Sequence, residues 1–213
     1  MSDIILHDYW RSSASYRVRI ALGLKGLSWR CLRTDLLARD HRAEAFRQIN
    51  PQGLVPVLEI DGLRLTQSLA IVEYLDETRP EPALLPADPA ARARVRATAY
   101  AIAMEIHPVN NLSVVEHVEA LTGGGQQARL DWMRHFMTSG LAAVERMLAA
   151  SAEGRFCHGD TPGLADICLV PQVYNAERWG VDLSGCPRIT AVARACAEVP
   201  AIAAAHPDRH GPV

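Results

Sequence analysis

The chain of 213 residues carries 22 basic and 24 acidic side chains, for a formal net charge of −2. It therefore lacks the cationic excess of a nucleic-acid binder. With 49% hydrophobic residues it is too apolar for a disordered chain, yet no run of about 18 uninterrupted apolar residues marks a membrane span.

No basic and apolar leader pattern opens the sequence, so the expectation is a cytoplasmic protein. Cys31, Cys157, Cys168, Cys186 and Cys196 are scattered without CxxC spacing, which predicts mostly buried, reduced thiols and neither a redox pair nor a metal site. Two counts are uneven. Lys25 is the only lysine, and alanine rises from 6 in residues 1–80 to 26 in residues 81–213. Alanine is the strongest helix former, so the step predicts two regions of different architecture.

In chain order, Ile4–Leu6 reads as a short buried strand. A helix from Ser15 to Leu24 follows, with Val18, Ala21 and Leu22 on one face and Lys25-Gly26 as its stop. Trp29–Leu32 reads as a second strand. His41–Ile49 reads as a second helix, and Asn50-Pro51-Gln52-Gly53 as a turn. Val55–Ile60 and Leu63–Thr66 flank Asp61-Gly62, the signature of a tight hairpin. A helix carrying Ile71, Val72, Tyr74 and Leu75 starts at Ser68. The order βαβαββα predicts an α/β domain over residues 1–80, a small mixed sheet with helices on its faces.

The prolines of residues 81–89 predict a stiff linker. Residues 90–213 show no strand pattern and predict an all-α domain, with helices near 90–120, 126–150, 163–179 and 188–197 and a short turn at 200–205. Gly123-Gly124-Gly125 has no preceding strand and no following Lys-Ser/Thr, so it reads as an inter-helix loop and not a phosphate loop. The proline-broken histidines at 206–210 do not form a metal-ligand pattern.

Three segments of the first domain could carry chemistry. Pro56 opens a strand; a cis proline there would expose the Val55 backbone for pairing with a bound peptide, whereas a trans proline would simply start the strand. In Gln67-Ser68, Ser68 sits where a helix N-cap is expected, and the free N–H groups of a helix N-terminus can hold a carboxylate; a plain capping role is the alternative. Arg11-Ser12-Ser13-Ala14-Ser15-Tyr16-Arg17 places hydroxyls between a strand and a helix where a redox enzyme of thioredoxin type would have cysteine. Any thiol chemistry must then use a ligand's thiol. A carboxylate cap, a strand-pairing backbone and a hydroxyl pair together suit a γ-glutamyl peptide with a central thiol, which is glutathione.

On these residues the chain resembles the zeta-class glutathione transferases. The likeness runs through Trp10–Leu22, Asn50-Pro51 with Val55-Pro56, Asp61-Gly62, Gln67–Leu75 and Leu84–Pro86. It continues in Ile106-His107-Pro108, Asn110–Val114, Leu164–Gln172 and Asn175–Arg178. The resemblance implies a glutathione transferase fold, with a thioredoxin-like domain followed by an all-helical one, assembled as a homodimer. It implies glutathione at Ser12, Ser13, Val55, Pro56, Gln67 and Ser68, with Gln52 and His41 towards the glycyl end and His107, Asn111 and Ser113 from the helical domain. Two departures stand out. Ala14 replaces the cysteine usual in the signature, and Gly163 stands where a Ser/Thr cap usually faces Asp166, whose role is then in folding.

The activity implied is cis–trans isomerisation of maleylacetoacetate to fumarylacetoacetate in aromatic amino-acid breakdown. Thiolate addition beside a carbonyl, rotation about the resulting single bond and elimination of glutathione would accomplish it. Ser12 is expected as chief thiolate donor and Ser13 as second, while Arg11 and Arg178 are expected on the substrate carboxylates, whose shape suits arginine's planar fork. The alternatives are maleylpyruvate isomerisation in gentisate breakdown, glutathione transfer to α-halo acids, and a non-catalytic interaction module.

Overall fold

The computed structural model describes residues 4–150 and 154–211. Residues up to Ala83 together with those from Val199 onward form one compact unit, and Leu84–Glu198 form a second.

The first unit follows the expected order: β1 (Ile5–Asp8), α1 (Ser13–Leu24), β2 (Arg30–Arg33), α2 (Glu44–Ile49), β3 (Val57–Ile60), β4 (Leu63–Thr66) and α3 (Ser68–Thr78). The sheet order is β2-β1-β3-β4. β1 runs parallel to β2 through the α1 crossover and antiparallel to β3, and β3–β4 is the hairpin. Its turn residues Asp61 and Gly62 both have positive φ, 54° and 77°, the backbone that a two-residue hairpin needs and that this dipeptide tolerates. Val18, Ile20, Ala21 and Leu22 of α1 and Ile71, Val72 and Leu75 of α3 are buried with Leu6, Val57 and Leu58 of the sheet. Burying each large aliphatic side chain contributes about 1.5–3 kcal/mol.

Charged side chains are also enclosed in this apolar framework, Lys25 and Arg19 among them. Lys25, at the end of α1, donates to Asp76 Oδ1 (2.8 Å), Arg79 O (2.7 Å) and Pro82 O (2.6 Å), and its side chain has 0% exposure. All three ammonium donors are thereby used, tying the end of α1 to the end of α3 and the start of the linker. Arg19, also fully buried, sends Nη1 to both oxygens of Asp8 (2.8 and 2.7 Å), Nη2 to Trp10 O (2.9 Å) and Nε to Ala205 O (3.1 Å).

That last bond belongs to a feature the hydropathy pattern did not indicate. The sequence suggests a helical domain continuing to residue 213, but α9 (Pro200–Ala204) and the turn Pro207–Arg209 belong to the sheet-containing unit. Arg19 binds the Ala205 carbonyl, the Tyr16 ring meets His206 edge-on, and the Trp29 ring stacks on His210. The His210 ring also bonds Ala204 O at 3.0 Å. The two terminal histidines thus fasten the tail.

The second unit holds α4 (Pro89–Tyr100), α5 (Leu112–Thr122), α6 (Gly125–Ala150), α7 (Leu164–Arg178) and α8 (Pro187–Ala197). Asp88 caps α4, accepting from Ala91 N at 2.7 Å. Met133, Met137, Leu141, Val144 and Leu148 of α6 are buried, a seam at spacings of three and four. The single helix expected over 90–120 is instead interrupted. Ala101–Ile106 widens to a π turn in which His107 N donates to Ile102 O (3.0 Å), and Pro108–Asn110 forms a 3₁₀ turn before Asn111 starts α5. Pro108 has no N–H with which to continue the ladder.

At the start of α7, Asp166 accepts from Gly163 N and Cys157 N, both at 2.9 Å. Burial pushes its carboxyl above the usual range against the pull of these two bonds. A Cβ at Gly163 would lie 2.7 Å from Leu84 O, which accounts for glycine where a capping hydroxyl is expected. Among the described residues no helix is long and apolar enough to cross a membrane.

Candidate active site

The strand register brings the three candidate segments of the first domain to one end of the sheet. Val57 opens β3 opposite His7 of β1 on one side and Thr66 of β4 on the other. Val55-Pro56, the chain leaving β1 towards Ser12, and Gln67-Ser68 after β4 therefore emerge together. Tyr9, Phe46, Val55 and Val57 form a buried cluster beneath them, with Trp10, Leu36 and Ile49 packed against it.

The peptide bond between Val55 and Pro56 is cis, as is Glu81–Pro82. Val55 is mostly buried. The preceding loop is shaped by Gly53, whose φ is +62° and where a Cβ would lie 2.9 Å from His41 O. No side chain fits that approach, and only glycine adopts that φ without cost. His41 is buried in the turn Asp40–Arg42, so the structure gives it a place under the loop.

Ser12 caps α1. Its Oγ accepts from Ser15 N at 3.2 Å and its own N donates to Tyr9 O at 2.8 Å. The hydroxyl hydrogen remains to be donated outward from a helix N-terminus. Ser13 is the first helical residue and largely buried. Arg11 stacks on Trp10, with its guanidinium carbon 4.0 Å from the ring centroid. Its Nε is buried and has no hydrogen-bond partner. The backbone just ahead is held by the Arg19–Trp10 bond.

At α3 the sequence reading needs correction. The N-cap is Gln67, not Ser68, and Gln67 has φ 67° and ψ 111°. A non-glycine residue at positive φ is costly and persists only where its surroundings enforce it. Gln67 Nε2 donates to Gln52 Oε1 at 2.8 Å, which joins two of the expected cofactor contacts. Ser68 is the first helical residue, and its Oγ accepts from Arg17 Nη1 at 3.1 Å with both groups buried. Arg17 closes the candidate segment Arg11–Arg17 but has no expected role there; the structure gives it one, and the sequence signal for it is a charge on the apolar α1 face beside Val18 and Ala21.

His107, Asn111, Ser113 and Arg178 lie in the second unit. His107 follows the π turn and is half-buried; such turns recur at functional positions. Asn111 caps α5, accepting from Leu112 N at 2.7 Å, and Ser113 is exposed on the same turn. Arg178 ends α7 exposed, its guanidinium 5.0 Å from the Trp179 ring centroid.

None of the five cysteines lies in the three candidate segments. Burial pushes Cys31, Cys157, Cys186 and Cys196 above the usual thiol range, with Asp8 adding to the effect at Cys31 and Asp166 at Cys157 and Cys196.

Comparisons with known proteins identify the family. Residues 6–83 match the glutathione S-transferase N-terminal domain family. The chain is 61% identical over 211 residues to the maleylacetoacetate isomerase of Rhizobium meliloti strain 1021, covering 99% of each. It superposes with a TM-score of 0.94 on the holo structure of a maleylpyruvate isomerase, a bacterial glutathione-S-transferase of the zeta class, at 44% identity over 96% of this chain and 97% of the other. A maleylacetoacetate isomerase from Anaeromyxobacter dehalogenans 2CP-1, solved with dicarboxyethyl glutathione and citrate in its active site, superposes with a TM-score of 0.85. Its identity is 44%, over 98% of this chain and 97% of the other. With 61% identity over 99% of its length to one relative and a TM-score of 0.94 to a zeta-class structure, the chain belongs to the zeta-class glutathione transferases.

Proposed function

We propose that this chain is a glutathione-dependent isomerase converting maleylacetoacetate to fumarylacetoacetate. The observation that carries the reading is the register that delivers the Ser12 hydroxyl, the Val55–Pro56 strand opening and the α3 N-terminus to one sheet end. The 61% identity to an isomerase of that name points to the substrate. The dicarboxyethyl glutathione held by a relative joins the cofactor to the kind of dicarboxylic fragment such a substrate would provide.

Bound glutathione supplies a thiolate able to add reversibly beside a carbonyl, freeing a cis double bond to rotate. The chain's residues make this possible at neutral pH. An ordinary thiol has a pKa of about 8.5, and lowering it by two units requires about 2.7 kcal/mol of preferential thiolate stabilisation. Ser12 Oγ–H, the free N–H groups of α1 and its positive helix end are the donors that provide it, with Ser13 second. Val55 pairs with the cysteinyl backbone beside the cis Pro56. Gln52, Gln67 and Ser68 hold the remainder of the peptide, and His107, Asn111 and Ser113 complete its surroundings. Arg11, beside the Ser12 hydroxyl, and Arg178 take the substrate carboxylates. The protein works as a cytoplasmic homodimer in aromatic amino-acid breakdown.

The TM-score of 0.94 to a maleylpyruvate isomerase favours a second substrate, one carbon unit shorter, on the same residues. Both are tested by following enedione absorbance with the purified protein. Turnover of maleylacetoacetate is expected only with glutathione present, and with the higher kcat/KM of the two substrates. Equal turnover without glutathione defeats the mechanism, and a higher kcat/KM for maleylpyruvate reassigns the substrate.

A further inference from the structure

Arg17 has no part in the roles above, yet it is 2% exposed on α1 and directs Nη1 at Ser68 Oγ from 3.1 Å. Ser68 is itself 5% exposed and begins the 11-residue helix α3. A guanidinium only donates. With one lone pair of the Ser68 oxygen committed to Arg17, the hydroxyl hydrogen is directed to another acceptor. A charged donor behind a hydroxyl also polarises it, so the outer bond is strongest to an anion. The Arg17 charge adds to the partial positive charge of the α3 N-terminus. Arginine stays protonated throughout the working pH range, so this charge is permanent.

Gln67 makes the same end rigid. Its positive φ and its bond to Gln52 fix the residue just before Ser68, so the hydroxyl and the first free N–H groups of α3 present a fixed set of donors. Arg17 reaches this set from a different helix, which makes it a support for the donors and not one of them.

We infer that Arg17 is a positioning residue that acts through Ser68 to select a ligand carboxylate at the N-terminus of α3. The inference rests on glutathione being the ligand, and the group selected is the α-carboxylate of its glutamyl residue. Neither amide beside it, Gln52 or Gln67, carries charge, so the discrimination falls to Arg17, Ser68 and the helix end.

The test compares two peptides by calorimetry: glutathione, and γ-aminobutyryl-cysteinyl-glycine, which lacks only that carboxylate. Wild-type protein that binds neither peptide refutes glutathione as the ligand. Given wild-type binding, Arg17→Met is expected to weaken glutathione by about tenfold or more, as loss of a charge-assisted interaction should, and the analogue by less than about twofold. In turnover the loss is expected in KM for glutathione, with kcat at saturation changed less. Arg17→Lys is expected to restore most of the affinity. Should Arg17→Met fail to fold, Ser68→Ala, which removes the relay and leaves the guanidinium, is expected to show the same carboxylate-dependent loss. Equal weakening of both peptides, or unchanged glutathione affinity in a folded variant, overturns the role.

Discussion

Ser12→Ala is expected to lower kcat/KM by about 10²–10³-fold, the loss that follows removal of one preorganised donor from a developing or resident anion. The effect should be chemical and not merely structural, because the two functions of the hydroxyl are separable. As an acceptor it caps Ser15 N, and losing a cap costs about 1 kcal/mol of stability. As a donor it faces the ligand thiol. The alanine variant should therefore stay folded with a small drop in Tm, while the pKa of bound glutathione, read from thiolate absorbance against pH, moves upward towards its free value. Ser12→Thr keeps both functions and should retain most activity. Ser13→Ala should cost less, since Ser13 is largely buried. Wild-type activity in Ser12→Ala would move the role to the α1 backbone alone.

The largest stability loss is expected at the opposite end of the same loop. Asp8→Asn leaves the Arg19 guanidinium, fully buried, without its counter-charge. Breaking a buried ion pair by removing one partner costs about 3–5 kcal/mol. For a chain of this size each kcal/mol shifts Tm by about 2–4 °C, so the drop is large enough to read directly by calorimetry. Because Arg19 also holds the Trp10 carbonyl and the Ala205 carbonyl, two further changes should accompany it. Activity should fall below the melting range as the loop bearing Arg11 and Ser12 loosens, and hydrogen exchange should rise in α9. Asp8→Leu with Arg19→Met removes both charges together and should recover much of the lost stability. An Asp8→Asn variant as stable as the parent would mean that the guanidinium finds compensation elsewhere.

These two residues also show what sequence reading can and cannot reach. The Asp61-Gly62 hairpin was legible because its turn is decided by the two residues themselves. The four-strand order and the three candidate segments were legible for a related reason: each begins or ends an element whose period or punctuation is local. The cap expected at Ser68 falls one residue earlier because Gln67 takes a positive φ, against its own preference. The π turn before His107 adds one residue per turn with no compositional mark. The terminal helix is five residues long and has no amphipathic pattern of its own; its place comes from a bond to Arg19 at a sequence separation of 186. For Arg17 and Arg19 the signal was present. Two arginines within a buried apolar helix require internal partners, and the structure supplies them in Ser68 and Asp8.

The uneven count of basic residues has a practical outcome. The only lysine, Lys25, has its amine enclosed by Asp76 and two carbonyls at the ends of α1 and α3. An amine-acylating reagent therefore meets no side-chain ε-amine on the surface of the folded molecule. Position 25 becomes reactive only when the two helices part, so its acylation rate is a chemical clock for that opening, with no competing lysine signal to subtract.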